Sequence, residues 1–313
     1  MLEALLQVVL PVFVVAALGF VYASKKTFPV GAITDLIVNL TGACLVFGSL
    51  GRAERFDLGM ARAPVSAALL IFSGVVLAAL AHRFIPRLRA FPFGAVALPV
   101  AFMNAGNLGL PVAELTLGAR GIEVATVVFV TFNVLLFTLG LTLAVGKMDV
   151  FGVLRLPIFH AAWLGLIVNQ LELELPTALA TPVLLLGNTV APMMLLALGA
   201  RLRTLLRDAG KPSEEGRPAP RRPDPVMAIV VVVLRMGGGG LAALGINAAL
   251  GNEGPVAAVI LLIGCMPPAV MTFALTEKYT DAETSAVVSS AIALGTGLAL
   301  VVLPAVVAFV SPS

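Results

Sequence analysis

Ten apolar segments follow one another along the chain, most of them close to 20 residues long. A helix needs about 20 apolar residues to cross the roughly 30 Å hydrocarbon core of a bilayer. The segments, which we number as spans one to ten, run over residues 3–23, 31–50, 64–85, 93–118, 122–145, 157–170, 178–200, 226–250, 255–277 and 283–310. This pattern predicts an all-α polytopic membrane protein with ten transmembrane helices.

The composition excludes the main alternatives to a membrane protein. Of the 313 residues, 59% are hydrophobic and 12% are charged, whereas a soluble domain has roughly 25% charged residues. So few charges cannot cover a water-exposed surface of this size, and the hydrophobicity excludes a disordered chain. Cys44 and Cys265 are the only cysteines, which excludes a disulfide-rich fold. The basic residues collect in loops between spans, so a nucleic-acid partner is not expected.

The distribution of Lys and Arg predicts the orientation of the chain. If the N-terminus lies outside, 15 of the 20 basic residues fall in inside loops and four in outside loops. The positive-inside rule therefore places both termini on the periplasmic or exterior side. The longest inside loop, 202–225, holds six of the 15, directly follows a seventh, Arg201, and contains five prolines. We interpret it as a flexible cytoplasmic connection, with contact to anionic membrane lipid as the alternative role.

A division near residue 150 predicts two halves of five spans each, 1–150 and 151–313. Since five is an odd number, the second half is inverted in the membrane relative to the first. Segment 40–52 in span two and segment 189–201 in span seven both consist of a small or polar turn, an apolar run, and then Gly and Arg. This similarity favours an inverted repeat.

Spans four and nine are each interrupted near the middle. Residues 104–111 of span four include two Asn, two Gly and one Pro, and span nine contains Pro267-Pro268. A Pro inside a helix costs about 3 kcal/mol or more, and in lipid the freed backbone groups must be satisfied by protein or by a wet cavity. Because each is the fourth span of its half, we expect two broken helices that cross near the midplane. Their half-helix N-termini, each about +0.5 charge, would then face a common point that suits a carboxylate.

The residues of these breaks resemble those of the auxin efflux carrier family, which includes bacterial PIN-like organic-acid permeases. The resemblance covers essentially the whole chain and rests on segments 104–111, 266–270 and 276–279, on Phe132-Asn133 in span five, and on Pro192 and Arg201 in span seven. It implies a scaffold of spans one, two, six and seven and a moving transport domain of spans three to five and eight to ten. It also implies an elevator motion, a homodimer and a location in a bacterial inner membrane.

Candidate site residues lie in and beside the breaks. Our candidates for a substrate or ion site are Asn104, Asn107, Gly109, Pro111, Asn133, Arg235, Pro267, Pro268 and Thr272. Asn107 is the first choice for a carboxylate contact, and capping of the broken backbone is the alternative for both Asn104 and Asn107. The prolines are expected to shape the site. Thr272 either contacts substrate or ion or bonds within its own helix.

Charged residues in the spans leave the coupling mechanism open. Arg235 lies mid-span, where a charge costs roughly 2.5–3.5 kcal/mol on insertion scales, so it either counters an anionic substrate or pairs with a carboxylate such as Glu114 as a structural contact. Glu114 and Asp35 are the candidates for a proton-coupling carboxylate, although the position of Asp35 near the membrane surface also fits a solvated residue. Sodium at the crossover would use break carbonyls together with Asn104 and Thr272.

Together these features predict a secondary active transporter of small organic anions, mono- or dicarboxylates including auxin-like ones, that works by alternating access without a cofactor. No phosphate-binding P-loop motif is present, which argues against an ATP-driven pump. An enzyme is not expected, because no Ser/His or paired-Asp arrangement lies at membrane depth. His82 and His160 are far apart and flank spans, so they predict no metal site. The alternatives are a non-transporting sensor or receptor with the same fold, and an anion channel.

Overall fold

The computed structural model describes residues 2–52, 58–145, 154–208, 225–279 and 282–311. Within these ranges the chain is helical and forms no strand. The helices are α1 (Leu2–Lys25), α2 (Val30–Arg52), α3 (Leu58–Phe84), α4 (Phe93–Ala101), α5 (Ala105–Ala144), α6 (Pro157–Gln170), α7 (Thr177–Gly187), α8 (Val190–Asp208), α9 (Pro225–Leu250), α10 (Gly254–Gly264), α11 (Val270–Tyr279) and α12 (Ala282–Val310). The expected boundary at 150 lies outside the described residues. So does most of loop 202–225, although α8 continues to Asp208.

Seven helical stretches in the described part of the chain are long and apolar enough to cross a membrane. They are α1, α2, α3, α5, α7 with α8, α9 and α12. Spans four and nine do not count among them as continuous helices because each is interrupted, and span six has only 14 helical residues. The polytopic all-helical class is thus found, whereas the ten-span arrangement stays a prediction.

Predicted spans four and five are joined by a kink instead of a loop. The backbone at Gly118 has φ 61° and ψ −146° in the middle of α5. That conformation is accessible to glycine because it has no Cβ, and it lies at the end of predicted span four. The second half of span four and span five are therefore two helices that follow each other directly at Gly118, without an intervening loop.

Small residues pack one group of helices closely together. A Cβ at Gly19 of α1 would collide with the backbone of Leu196 in α8, and a Cβ at Gly199 would collide with that of Ala16. Gly165 of α6 likewise lies against the backbone of Phe47 in α2. Helices in lipid approach each other through such small residues. The group formed by α1, α2, α6, α7 and α8 is called the first helix group below.

The remaining helices surround the two interruptions and form the second helix group. Gly74 of α3 touches the backbone at Ala101, where α4 ends, and Gly264 at the end of α10 touches Gly239 of α9. Gly295 of α12 lies against Pro267 and Pro268. Every residue of 95–113 except Asn107 is buried, as is every residue of 258–269. The interrupted segments are therefore among the most deeply buried parts of the fold.

Candidate functional site

The first interruption is a short extended segment between α4 and α5. Phe102 takes an extended conformation, with φ −102° and ψ 114°, directly after the last residue of α4. Asn104 then caps the next helix, since its side-chain oxygen accepts a hydrogen bond of 3.2 Å from the N–H of Asn107. An Asn in this position satisfies a donor that a helix start leaves unpaired. The capping role considered for Asn104 is therefore present in the structure.

The second interruption lies between α10 and α11. Helix α10 ends at Gly264 and α11 begins at Val270. Pro267 and Pro268 lie between them, and because neither has an N–H group, the helical hydrogen-bond ladder cannot continue through them. The sequence therefore accounts for where this helix stops.

The two interruptions pair with each other through the main chain. The N–H of Asn104 donates to the carbonyl of Pro267 at 2.8 Å, and the N–H of Ala269 donates to the carbonyl of Phe102 at 2.9 Å. These bonds form an antiparallel bridge between Met103 and Pro268. Backbone groups freed by a break in lipid need partners within the protein, and here each break supplies them for the other.

Arg235 lies at the ends of the two half-helices that lead into the breaks. Its guanidinium is fully buried and donates from Nη1 to the carbonyls of Val100 at 2.9 Å and Ala101 at 3.3 Å, and from Nη2 to that of Gly264 at 2.9 Å. Each helix C-terminus carries about −0.5 charge, so two of them balance one guanidinium. The acceptors are main-chain carbonyls of α4 and α10, and a carboxylate is not needed to explain the buried cation.

A cavity lies at the other ends of the same breaks. It has a volume of about 450 Å³ and is lined by both half-helix starts, residues 103–107 and 269–271. That volume is typical of small-molecule sites. The apolar lining includes Phe129, Phe132, Phe137, Met103, Met194 and Met271, and the polar lining is Thr34, Asp35, Asn39, Asn104, Asn107, Asn133 and Arg201. Since helix N-termini are the positive ends, the breaks present positive potential to this cavity.

Two amide groups in the cavity have no protein partner among the described residues. Asn104 is 3% exposed, yet its Nδ2 donates to no acceptor. Its other polar atoms are engaged, because the main-chain carbonyl accepts from Gly109 at 3.0 Å. The side-chain amide of Asn107 also bonds to no described group, although its main-chain N–H does. Buried donors without acceptors are rare in proteins, and Asn104 Nδ2 is such a donor at the cavity.

The structure places the other expected residues in different surroundings. Asn133 lines the cavity, and its Nδ2 donates to the carbonyl of Phe129 at 2.7 Å. Thr272 is buried outside the lining, with its hydroxyl donating to Ala269 at 2.6 Å. Pro111 is buried one turn beyond the first break, and Glu114 is exposed on the same helix. The cavity lining therefore unites Asn104, Asn107, Asn133 and Asp35, and it leaves out Gly109, Pro111, Glu114, Arg235, Pro267, Pro268 and Thr272.

Sequence reasoning did not single out the aromatic and basic parts of the lining. Phe129 and Phe132 belong to an apolar run in which no pattern distinguishes a cavity wall from a packed helix face. Arg201 was placed at the end of span seven and counted with the inside loop but was not a candidate site residue; α8 continues past it, and its side chain lines the cavity.

One comparison identifies the family of this chain. A family model described as membrane transport protein matches residues 4–148 and 140–307. The two matches overlap and together run through nearly all of the sequence. The matched family consists of transporters and not of enzymes, in agreement with the expectation from the sequence. No curated protein matches the chain.

Proposed function

We propose that this chain, which belongs to the auxin efflux carrier family of membrane transport proteins, is a secondary active transporter of small organic anions. The family and the seven apolar helices make it an integral membrane protein. The finer statements, that its substrates are mono- or dicarboxylates and that it works by alternating access, are our proposal.

The observation that carries the proposal is the vacant donor of Asn104 in the cavity. A carboxylate accepts hydrogen bonds only, so it fits the unpartnered Nδ2 of Asn104 and the amide of Asn107. The starts of α5 and α11 add positive potential to the cavity, while the negative ends of the other two half-helices, α4 and α10, are neutralised by Arg235. This arrangement favours an anion at the two half-helix starts, with the buried guanidinium of Arg235 at the opposite ends of the breaks.

The packing supports a scaffold and a moving domain. The first helix group corresponds to the proposed scaffold and the second to the proposed transport domain, and the cavity is lined by residues of both. Asp35 lies near the start of α2 and Arg201 near the end of α8, which are the cytoplasmic ends in the orientation expected from the basic residues. We therefore propose that the structure is open to the cytoplasm, with an elevator-type motion of a homodimer carrying the substrate across.

Coupling to sodium at the helix ends is disfavoured by the contacts of Arg235. Three of the break carbonyls accept from its guanidinium, and the Oδ1 of Asn104 accepts from Asn107. Few oxygens then remain for a cation that prefers several oxygen ligands. For proton coupling, Asp35 is the carboxylate that lines the cavity, whereas Glu114 does not. The membrane potential alone is the third alternative.

Asn104→Asp provides a sharp test of the proposed site. The substitution keeps the oxygen that caps the helix, and Asp caps about as well as Asn. It replaces the vacant donor by a negatively charged acceptor. We expect the purified protein to be stabilised by at least one of acetate, lactate, succinate and benzoate, because a ligand of the native state raises its melting temperature. Asn104→Asp should abolish that shift and the uptake of the labelled anion into proteoliposomes.

Asn188→Asp is the matched control, because Asn188 is exposed in the turn between α7 and α8 and lies outside the cavity. It should leave binding and uptake unchanged. Wild-type-like binding by Asn104→Asp would remove Asn104 from the site. Counterflow separates the alternative functions, since a sensor binds the anion without flux and a channel shows no stimulation by anion on the opposite side.

A further inference from the structure

We infer that a pocket at the end of α3 binds the phosphate group of an anionic phospholipid whose acyl chains lie along the same helix. This basic pocket has a volume of about 510 Å³ and is lined by Ala79, His82, Arg83, Arg89 and Phe93. It shares no lining residue with the cavity at the helix breaks, and the inference does not depend on the proposed function. In the orientation expected from the basic residues, this end of α3 lies at the cytoplasmic surface.

A tight turn places two arginines beside the end of α3. The chain leaves the helix through the 3-10 turn Pro86–Ala90. Leu88 in the middle of the turn is fully buried and holds it against the core, whereas Arg87 and Arg89 on either side are exposed. The turn brings Arg89 back to the last turn of α3, where its Nη2 donates to the main-chain carbonyl of Arg83.

The charges around the pocket favour an anion. The carbonyl end of a helix carries about −0.5 charge and repels a phosphate, but Arg89 donates to one of these carbonyls and keeps its other N–H donors available. The guanidinium of Arg83 forms no hydrogen bond or ion pair with a described residue. The sequence contains no acidic residue between positions 58 and 113. Two guanidinium groups therefore face the pocket, and such groups pair with phosphate through parallel hydrogen bonds.

The wall opposite the arginines is fixed by protein contacts. The Nε2 of His82 donates to the main-chain carbonyl of Phe91 at 3.1 Å. The ring centroids of His82 and Phe93 lie 5.7 Å apart in an edge-to-face arrangement. The pocket is thus formed without a ligand, and a preformed site binds at a lower cost in conformational entropy.

One face of α3 continues from the pocket as an exposed apolar stripe. Its members follow each other at intervals of three or four residues and are Val65, Leu69, Phe72, Val76 and Leu80, each 42–56% exposed. This spacing places side chains on one face of a helix, and Arg83 follows Leu80 by three residues on that face. In a membrane-spanning helix such a face contacts acyl chains, and basic residues at its end meet the headgroups of anionic lipids.

The continuity of the apolar stripe with the basic pocket favours a phospholipid over a soluble phosphate ester. A soluble ester would contact the pocket alone. A phospholipid with its chains along the stripe holds its phosphate at the level of Arg83, which raises the effective concentration of that group at the pocket.

The test compares Arg83→Gln with Arg87→Gln in the full chain. Each variant loses one exposed arginine from the same end of α3, but Arg87 does not line the pocket. The probes are dioleoylphosphatidylglycerol, dioleoylphosphatidylcholine and the soluble ester glycerol 3-phosphate. The measurement is the dissociation constant of the first bound lipid, obtained by native mass spectrometry of the purified protein in detergent.

We expect the wild type to bind phosphatidylglycerol more tightly than phosphatidylcholine. Arg83→Gln should weaken phosphatidylglycerol binding roughly 10- to 100-fold, as expected for the loss of a hydrogen bond between charged groups. Arg87→Gln should weaken it by about fivefold or less, which is the effect of one basic residue near an anionic surface. The melting temperature of lipid-free Arg83→Gln should equal that of the wild type, because its guanidinium has no described protein partner.

Three results would overturn the inference, and none of them bears on the proposed anion site at the helix breaks. Equal losses in the two variants would show a diffuse attraction to anionic lipid instead of a pocket. Glycerol 3-phosphate that binds as tightly as the lipid would assign the pocket to a soluble phosphate ester. Loss of a dimer in Arg83→Gln, seen in the same mass spectra, would assign this face of α3 to a second copy of the chain.

Discussion

Replacing Arg235 by Met tests whether the buried guanidinium holds the two half-helix ends together. The substitution keeps a long side chain at the junction of α4, α9 and α10 and removes every N–H donor. Three main-chain carbonyls, those of Val100, Ala101 and Gly264, then lose a donor. Since the site is fully buried, water cannot easily take its place.

The expected magnitude comes from two opposing terms. Each buried acceptor left without a donor costs about 1–3 kcal/mol, and each helix C-terminus loses a nearby cation worth up to about 2 kcal/mol in a buried setting. Against this, Met removes the desolvation penalty of a buried guanidinium, which is several kcal/mol. Removing one partner of a buried charge interaction has a net cost of about 3–5 kcal/mol. We therefore expect Arg235→Met to lower the free energy of unfolding by about 3 kcal/mol.

The assay is the apparent melting temperature of the purified protein in detergent. On the scale of a domain of 150–250 residues, a loss of about 3 kcal/mol corresponds to a fall of roughly 6–12 °C. The melting temperature of Arg235→Lys should lie between those of the wild type and Arg235→Met, because an ammonium keeps the charge but lacks the planar guanidinium that reaches both helix ends. Arg62→Met is the control, since Arg62 is exposed and donates to a single carbonyl, that of Gly251, at 2.6 Å, and it should change the melting temperature little. A wild-type melting temperature for Arg235→Met would refute the helix-end interpretation.

Two further predictions concern the surroundings of Arg235 and the coupling ion. Gly239→Ala should lower the free energy of unfolding by about 1–3 kcal/mol, because its Cβ would collide with the guanidinium of Arg235. Gly237→Ala is the control, since a Cβ there meets open space and should stabilise the helix by about 0.5–1 kcal/mol. Equal melting temperatures for the two variants would contradict the close contact. Exchange of NaCl for KCl at constant ionic strength should leave the melting temperature unchanged, because Arg235 already occupies the break carbonyls. A higher melting temperature in sodium would show a sodium site, since a ligand at 100 times its dissociation constant stabilises the native state by about 2.7 kcal/mol.

Local sequence rules located the two interruptions approximately. Pro267-Pro268 removes two consecutive donors, and α10 ends at Gly264, shortly before them. The first break lies at 102–104, where Asn104 caps the next helix, whereas residues 105–109 are already helical. The kink at Gly118 was harder to predict, because a glycine in a helix indicates a weak point but not whether the chain bends there or forms a loop.

The partners of the buried polar groups could not be predicted from the sequence. Arg235 was expected to face either a substrate or a carboxylate, yet its acceptors are carbonyls of Val100 and Gly264, which lie 135 and 29 residues away along the chain. Thr272 follows the second break in the sequence, but its hydroxyl donates to the main-chain carbonyl of Ala269. Main-chain carbonyls carry no sequence signature, so their role as acceptors emerges only when helices are placed in space.

By itself the sequence determined that this is a helical membrane protein, where its helices are broken, and to which family it is similar, because hydrophobic length and proline chemistry act over neighbouring residues. Tertiary structure alone decided which faces of the breaks receive the guanidinium and which receive the cavity. It also decided that Arg201 of one helix group and Asn104 of the other line the same cavity. The physical reason is that a half-helix has two poles of opposite charge, and only the packing of α9 beside α4 and α10 determines which pole meets which side chain.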